Sequence, residues 1–198
     1  YKVQGQIWNS TTERTLIREA GQGVMLKPYQ QPHPPIVVTA VVPHSKGLVE
    51  SAKRGWQPIS ANFLQPVWAA THWPKHEQGC LLGGQAADRN HWRVCKSVFV
   101  ADDDATARRY AKDPKGPYGF YYWNLLTKRM GHGNVDIFKH DLAMPNSAVT
   151  LEYLLDTLVI CGTVNSVVEQ ILAFRETVGD FGTLLYAGHD WADVKLAR

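Results

Sequence analysis

Ile36-Val37-Val38-Thr39-Ala40-Val41-Val42-Pro43-His44-Ser45 is the stretch on which the fold turns. A continuous apolar, largely β-branched run of this kind marks a strand buried on both faces, as in a parallel sheet. Pro43 ends the run, and Ser45 is a good N-cap for a helix. Leu48, Val49 and Ala52 then fall on one helical face, and Gly55 sits where a helix C-terminal glycine belongs. A second strand comes at once, from Pro58 to Leu64. Strand, turn, helix, glycine and strand in about 30 residues make a βαβ unit.

Downstream the same grammar continues. Trp92 to Val100 reads as a third strand, followed by a helix capped by Asp102 with Asp103 and Asp104 in its positive first turn. Gly116-Pro117 breaks that helix, an aromatic stretch runs from Tyr118 to Trp123, and residues 131 to 147 look irregular. Leu151, Leu154, Leu155 and Leu158 share a helical face. Ile160-Cys161-Gly162-Thr163 turns the chain into another helix, with Val164, Val167, Val168, Ile171 and Leu172 as its apolar positions. Gly179 ends it, and Phe181 to Ala187 supplies a fourth core strand.

Upstream the chain is less regular. Val3 to Trp8 and Gly23 to Lys27 read as short strands, and four prolines between Pro28 and Pro35 enforce an extended lead-in. Four parallel-type strands alternating with helices define an α/β protein. A doubly wound sheet and part of a (β/α)8 barrel are both open on this pattern, and a full barrel takes about 250 residues and eight strands.

Composition bounds the function. The 198 residues are 44% hydrophobic and 20% charged, enough for a globular core. Basic residues exceed acidic ones by only 21 to 18, so no nucleic-acid partner is expected. No run approaches the roughly 18 apolar residues of a membrane helix, and Tyr1-Lys2-Val3-Gln4-Gly5 lacks the layout of a secretory signal. Cys80, Cys95 and Cys161 stand far apart, which suits a reducing compartment and makes cytoplasm the expectation.

The turn Val41-Val42-Pro43-His44-Ser45 opens a helix whose free N–H groups could take a phosphate, or it is an ordinary capped turn. Neither Gly-x-Gly-x-x-Gly nor a P-loop occurs. The Gly162-Thr163 turn has the same form, with Thr163 or Asn165 as cap, and packing explains it. His72 and His76 lie four apart, but Pro74 argues against a helix there, so no metal site is expected. No Gly-x-Ser-x-Gly elbow is present, and no cysteine has a neighbouring histidine. Trp56, Trp68, Trp73 and the Tyr118–Trp123 cluster suit either a ligand pocket or packing.

Taken in order, Gln30-Gln31-Pro32-His33-Pro34-Pro35-Ile36, Arg54-Gly55-Trp56-Gln57-Pro58-Ile59-Ser60, Trp92-Arg93-Val94, Phe99-Val100-Ala101-Asp102, Gly162-Thr163 and Gly179-Asp180-Phe181-Gly182-Thr183-Leu184-Leu185 resemble the bacterial-luciferase-like flavin-dependent monooxygenases, in their limonene monooxygenase-like branch. The resemblance implies a (β/α)8 TIM barrel with only the C-terminal four βα units in this chain. Their strands are Ile36–Val42, Pro58–Leu64, Val94–Val100 and Thr183–Ala187, and residues 1–198 form one half of a single barrel domain. It implies reduced FMN, supplied by a separate flavin reductase, and O2 to oxygenate a small organic substrate. A homodimer and an N-terminal barrel half are the implied partners.

The same resemblance places part of the flavin phosphate site at Val41, Val42, Pro43, His44 and Ser45. Relatives often carry small hydroxyl residues there, so the contacts here would be mainly backbone N–H groups, of which Pro43 has none. Residues 103 to 157 match the family's insertion, a lid over the active site. The family's catalytic positions lie mostly in the other half, so no catalytic residue is assigned. The competing expectations are a non-catalytic half-barrel without flavin and a deazaflavin-dependent oxidoreductase.

Overall fold

The computed structural model describes residues 2–11, 13, 16–20, 28–189, 193 and 195. Two units make it up, residues 1–35 and residues 36–198. In the first, β1 (Lys2–Gln4) pairs antiparallel with β2 (Asn9–Thr11), Val3 opposite Ser10. The Gly5 N–H donates to the Trp8 carbonyl at 2.9 Å and closes the turn. The single strand expected from Val3 to Trp8 is therefore one arm of a hairpin plus its turn. The strand expected over Gly23 to Lys27 lies outside the described residues.

The second unit holds five parallel strands: β3 (Val37–Ala40), β4 (Gln57–Ser60), β5 (Arg93–Val100), β6 (Val159–Gly162) and β7 (Thr183–Ala187). β3 pairs with β4 along its whole length. Arg93 of β5 pairs with both Ile59 and Thr183, so β4 and β7 flank β5 on opposite edges. The four expected strands thus stand side by side in chain order, as consecutive strands of a barrel do. Ser97 pairs with both Ala187 and Val159, which places β6 on the β4 edge, just beyond the point where β4 ends.

Several local expectations change. β3 is shorter than Ile36–Val42 and is not buried on both faces; Val37, Val41 and Val42 are each about 40% exposed, because β3 ends the row of strands. β4 covers Gln57–Ser60 rather than Pro58–Leu64. Val159–Gly162 is a strand where only a turn was expected, and a four-residue apolar run between two helical patterns has no period that could reveal it. β7 is half-exposed rather than core.

The helices are α1 (Lys46–Ala52), α2 (Pro66–Ala69), α3 (His72–Leu82), α4 (Asp104–Ala111), α5 (Pro117–Gly131), α6 (Leu151–Leu158) and α7 (Val164–Val178). Pro74 is the third residue of α3, where no intrahelical N–H bond is lost, so His72 and His76 do share a helix. Asp103, not Asp102, caps α4 and accepts the Thr106 N–H at 2.7 Å. On α7 the buried positions are Val167, Phe174 and Val178, whereas Val164, Val168 and Leu172 are largely exposed.

Two apolar bodies sandwich β5. Phe99 packs with Tyr118, Tyr122, Phe138, Leu154 and Leu158 of the insertion. Val94, on the other face by strand alternation, packs with Trp73, Trp92, Phe174 and Val178. The insertion therefore builds its own core against the sheet.

Candidate flavin site at the strand ends

β3 ends at Ala40, and the next five residues form the expected turn before α1. His44 has φ 51, a left-handed conformation that costs a non-glycine residue about 1 kcal/mol or more. Two bonds hold it: the His44 N–H donates to Thr71 Oγ1 at 2.8 Å, and the Thr71 hydroxyl donates to the Trp68 carbonyl at 2.7 Å. Ser45 is the N-cap residue of α1, as expected, but its side chain makes no capping bond. Pro43 lacks a donor and the His44 N–H is committed, so the donors that the helix start itself offers are the amides of Ser45, Lys46 and Gly47, the Leu48 N–H already donating to the Ser45 carbonyl.

Behind the turn stands a buried polar chain. Trp92 Nε1–H donates to Ser60 Oγ at 3.0 Å, and Ser60 Oγ lies 2.8 Å from His72 Nδ1. His72 Nε2 lies 2.9 Å from the Val42 carbonyl, which can only accept, so Nε2 carries the proton and Nδ1 accepts from Ser60. Burial, with the nearby His44 charge as a smaller cause, lowers the His72 pKa below the ordinary histidine value despite the bond to Val42. Both ring nitrogens are occupied in positioning the turn. His76 turns instead to Cys80, with Nε2 3.4 Å from Sγ, so one cysteine does have a histidine beside it. Burial raises the Cys80 thiol pKa, which leaves it protonated and poorly nucleophilic.

Two adjoining cavities open at this end of the sheet. One, of about 370 Å³, is lined by Val42, Pro43 and His44 together with Trp68, Arg129 and Asp136. The other, of about 400 Å³, is lined by Val41, Phe63, Leu125, Lys128, Arg129 and Phe138. Arg129 and Ile137 border both. Val41, Val42, Pro43 and His44 thus line cavities, while Ser45 stands at the helix start beside them. Arg129 and Lys128 come from the last turn of α5, and no motif in the sequence points to them; only the fold brings them over β3.

The aromatic stretches divide. Trp68 lines the first cavity and its Nε1–H donates to the Lys139 carbonyl at 2.7 Å, whereas Trp73 stacks on Trp92 in the core at 5.6 Å. Tyr118 and Tyr122 are core, donating to the Val98 carbonyl and Ser97 Oγ. Tyr121 donates to Asn62 Oδ1 at 2.9 Å and stacks on His189 at 4.4 Å, joining the ends of β4 and β7. The Gly162-Thr163 turn is filled from within the protein. Asp104 accepts from the Thr163 N–H at 2.8 Å and from Ser166 Oγ at 3.1 Å, while Thr163 caps Ser166. A carboxylate already occupies that helix start.

Parallel strands with a lined, partly cationic cavity at their C-terminal ends have the arrangement that (β/α)8 barrels use for their sites. The homologues of this chain are luciferase-like flavin monooxygenases, and its sheet is part of their barrel. It is 27% identical over 195 residues to 3,6-diketocamphane 1,6-monooxygenase of Pseudomonas putida, covering 96% of this chain and 51% of that enzyme. Over 125 residues it is 30% identical to 4-hydroxyprotoasukamycin monooxygenase of Streptomyces nodosus subsp. asukaensis, covering 63% and 31%. Among solved structures it matches the oxygenating constituent of 3,6-diketocamphane monooxygenase from the Pseudomonas putida CAM plasmid, a type II Baeyer-Villiger monooxygenase in complex with FMN. There the TM-score is 0.74 at 26% identity, over 96% of this chain and 52% of that one. The chain spans about half the length of the diketocamphane enzymes it matches. No family model matches it.

Proposed function

We propose that this chain is part of an FMN-dependent monooxygenase that uses reduced FMN and O2 to oxygenate a small apolar ketone. The observation that carries the reading is the match, over nearly the whole chain, to an FMN-bound oxygenating constituent. The site's chemistry fits the cofactor. Val41, Val42, Pro43, His44 and Ser45 form the phosphate turn, with the amides of Ser45, Lys46 and Gly47 as donors and Arg129 as countercharge. The neighbouring cavity, walled by Val41, Phe63, Leu125 and Phe138, is where the flavin ring and an apolar substrate would meet. Bound reduced FMN would supply the activation of O2, and the chain's own residues hold the phosphate, shape the apolar wall and exclude water.

On this reading residues 103–157 act as the lid, since Lys128, Arg129 and Phe138 all come from that segment. Reduced flavin comes from a separate reductase. Further barrel strands cover β3, which among the described residues pairs with β4 alone. The working protein is a cytoplasmic homodimer, and among the described residues no helix is long and apolar enough to cross a membrane.

Hydrogen exchange on the chain with and without reduced FMN, under anaerobic conditions, tests the assignment. Saturating flavin is expected to slow the amides from Val41 to Gly47 and to leave Gly162 to Ser166 unchanged. Unchanged exchange at 41–47 would remove the phosphate site, and binding of a deazaflavin in preference to FMN would replace the cofactor.

A further inference from the structure

We propose that the helix-covered face of the sheet, away from the strand ends, carries a second site that binds a small apolar carboxylate on the ammonium of Lys96. Lys96 lies between Val94 and Val98 on β5, and strand alternation turns all three toward the helices. Val94 belongs to the apolar cluster of Trp73, Trp92 and Phe174, and Val98 to that of Ile160 and Val167. Lys96 therefore occupies the gap between two apolar bodies. It is 2% exposed, and its Nζ has no hydrogen-bond partner among the described residues. The nearest compensation is the Phe174 ring, 5.1 Å from Nζ.

The gap is a cavity of about 270 Å³ that Lys96 lines, walled by Pro66, Ile160, Ala173 and Phe174. Its other polar groups are already committed. Gln170 Nε2 donates to the carbonyls of Cys161 and Ser166, and the Thr157 hydroxyl donates to the Tyr153 carbonyl. Asp156 is the other charged group among the described lining residues, and it pairs with Lys112 at 2.8 Å. One unpartnered ammonium, buried at the edge of a cavity with apolar walls, matches a monoanion with an apolar body. A phosphate dianion would leave a negative charge uncompensated there.

Benzoate is the probe, and benzamide its uncharged isostere. The 15N-labelled, flavin-free chain is titrated at pH 7, with amide shifts followed at Val159 to Cys161 and Ala173 to Thr177. Saturable benzoate shifts confined to those residues are expected, with benzamide and the Lys96→Met chain each at least about tenfold weaker. Burial lowers the Lys96 pKa to about 8, so benzoate affinity is expected to fall as pH rises above that value. Cys95, its chain neighbour, and Asp156 are the other titratable groups beside it. No saturable shift at millimolar benzoate, or equal binding of benzamide, overturns the proposal. So does undiminished benzoate binding by a folded Lys96→Met chain. Should that variant not fold, the benzoate and benzamide comparison on the unaltered chain decides. No arm depends on FMN, so the flavin reading can fail without this one.

Discussion

His72 shows how one side chain ties the core to the site. It spans from Ser60 at the end of β4 to the Val42 carbonyl, and Trp92 holds Ser60 from behind. Replacing it by phenylalanine leaves the buried Ser60 O–H without its acceptor and the Val42 carbonyl without its donor, an expected loss of about 1–3 kcal/mol in unfolding free energy, measured by urea titration. Its pH dependence has a definite sign. The folded pKa lies below the unfolded value of 6.5, so in that interval the unfolded chain binds a proton that the folded chain refuses. Stability is full above 6.5 and falls as the solution is acidified. His76 is lowered by burial and by His91 and adds a slope of the same sign, so the comparison of the two chains isolates His72. His72→Phe is expected to lose less stability between pH 7.5 and pH 5 than the unaltered chain. An identical slope in both would remove His72 from the acid response.

At the scale of elements, α1 matters because it carries the turn, and its seat is α3. A Cβ at Gly79 would stand 2.6 Å from the Ala52 Cβ and closer still to the Val49 carbonyl oxygen. Backbone cannot yield there as a side-chain tip can, so the helices must part. Gly79→Ala is expected to destabilise by about 1–3 kcal/mol, and to weaken FMN binding because α1 moves with its turn. Gly131→Ala is the control: nothing stands within 4 Å of its added Cβ, and alanine in helix is favoured by up to about 1 kcal/mol. Thermal unfolding of both variants checks the pair, and equal midpoints would mean that α1 and α3 are loosely seated. The starts of α1 and α4 were legible in sequence to within a residue, whereas α3 was not, because Pro74 argued against a helix there. Asp103 takes the cap rather than Asp102 because its carboxylate reaches the Thr106 amide.

Across the whole molecule, β5 is the strand that joins the sheet: β7 pairs along Arg93–Ser97 on one edge, and β4 at Arg93–Val94 and β6 along Ser97–Val100 on the other, while among the described residues β3 and β7 end the row. Exchange of the isolated chain is expected to be slowest at Val94 and from Ser97 to Val100, and fastest at the outward amides of β3. Equal protection of β3 and β5 would show that something already covers β3.

The sequence by itself determined the parallel α/β pattern, its four principal strands, the turn at 41–45 and the family resemblance, because these rest on local period and on residues adjacent in the chain. It did not determine β6, the burial of each strand or the company the turn keeps. Four apolar residues carry no period, and the exposure of Val37 depends on what lies beside β3. Arg129, Trp68 and His72 meet the turn from 26 to 87 residues away along the chain, counted from Val42. Only tertiary packing joins such distant positions, and it alone leaves Lys96 buried beside a cavity instead of at the surface, where a lysine on a strand is ordinarily found.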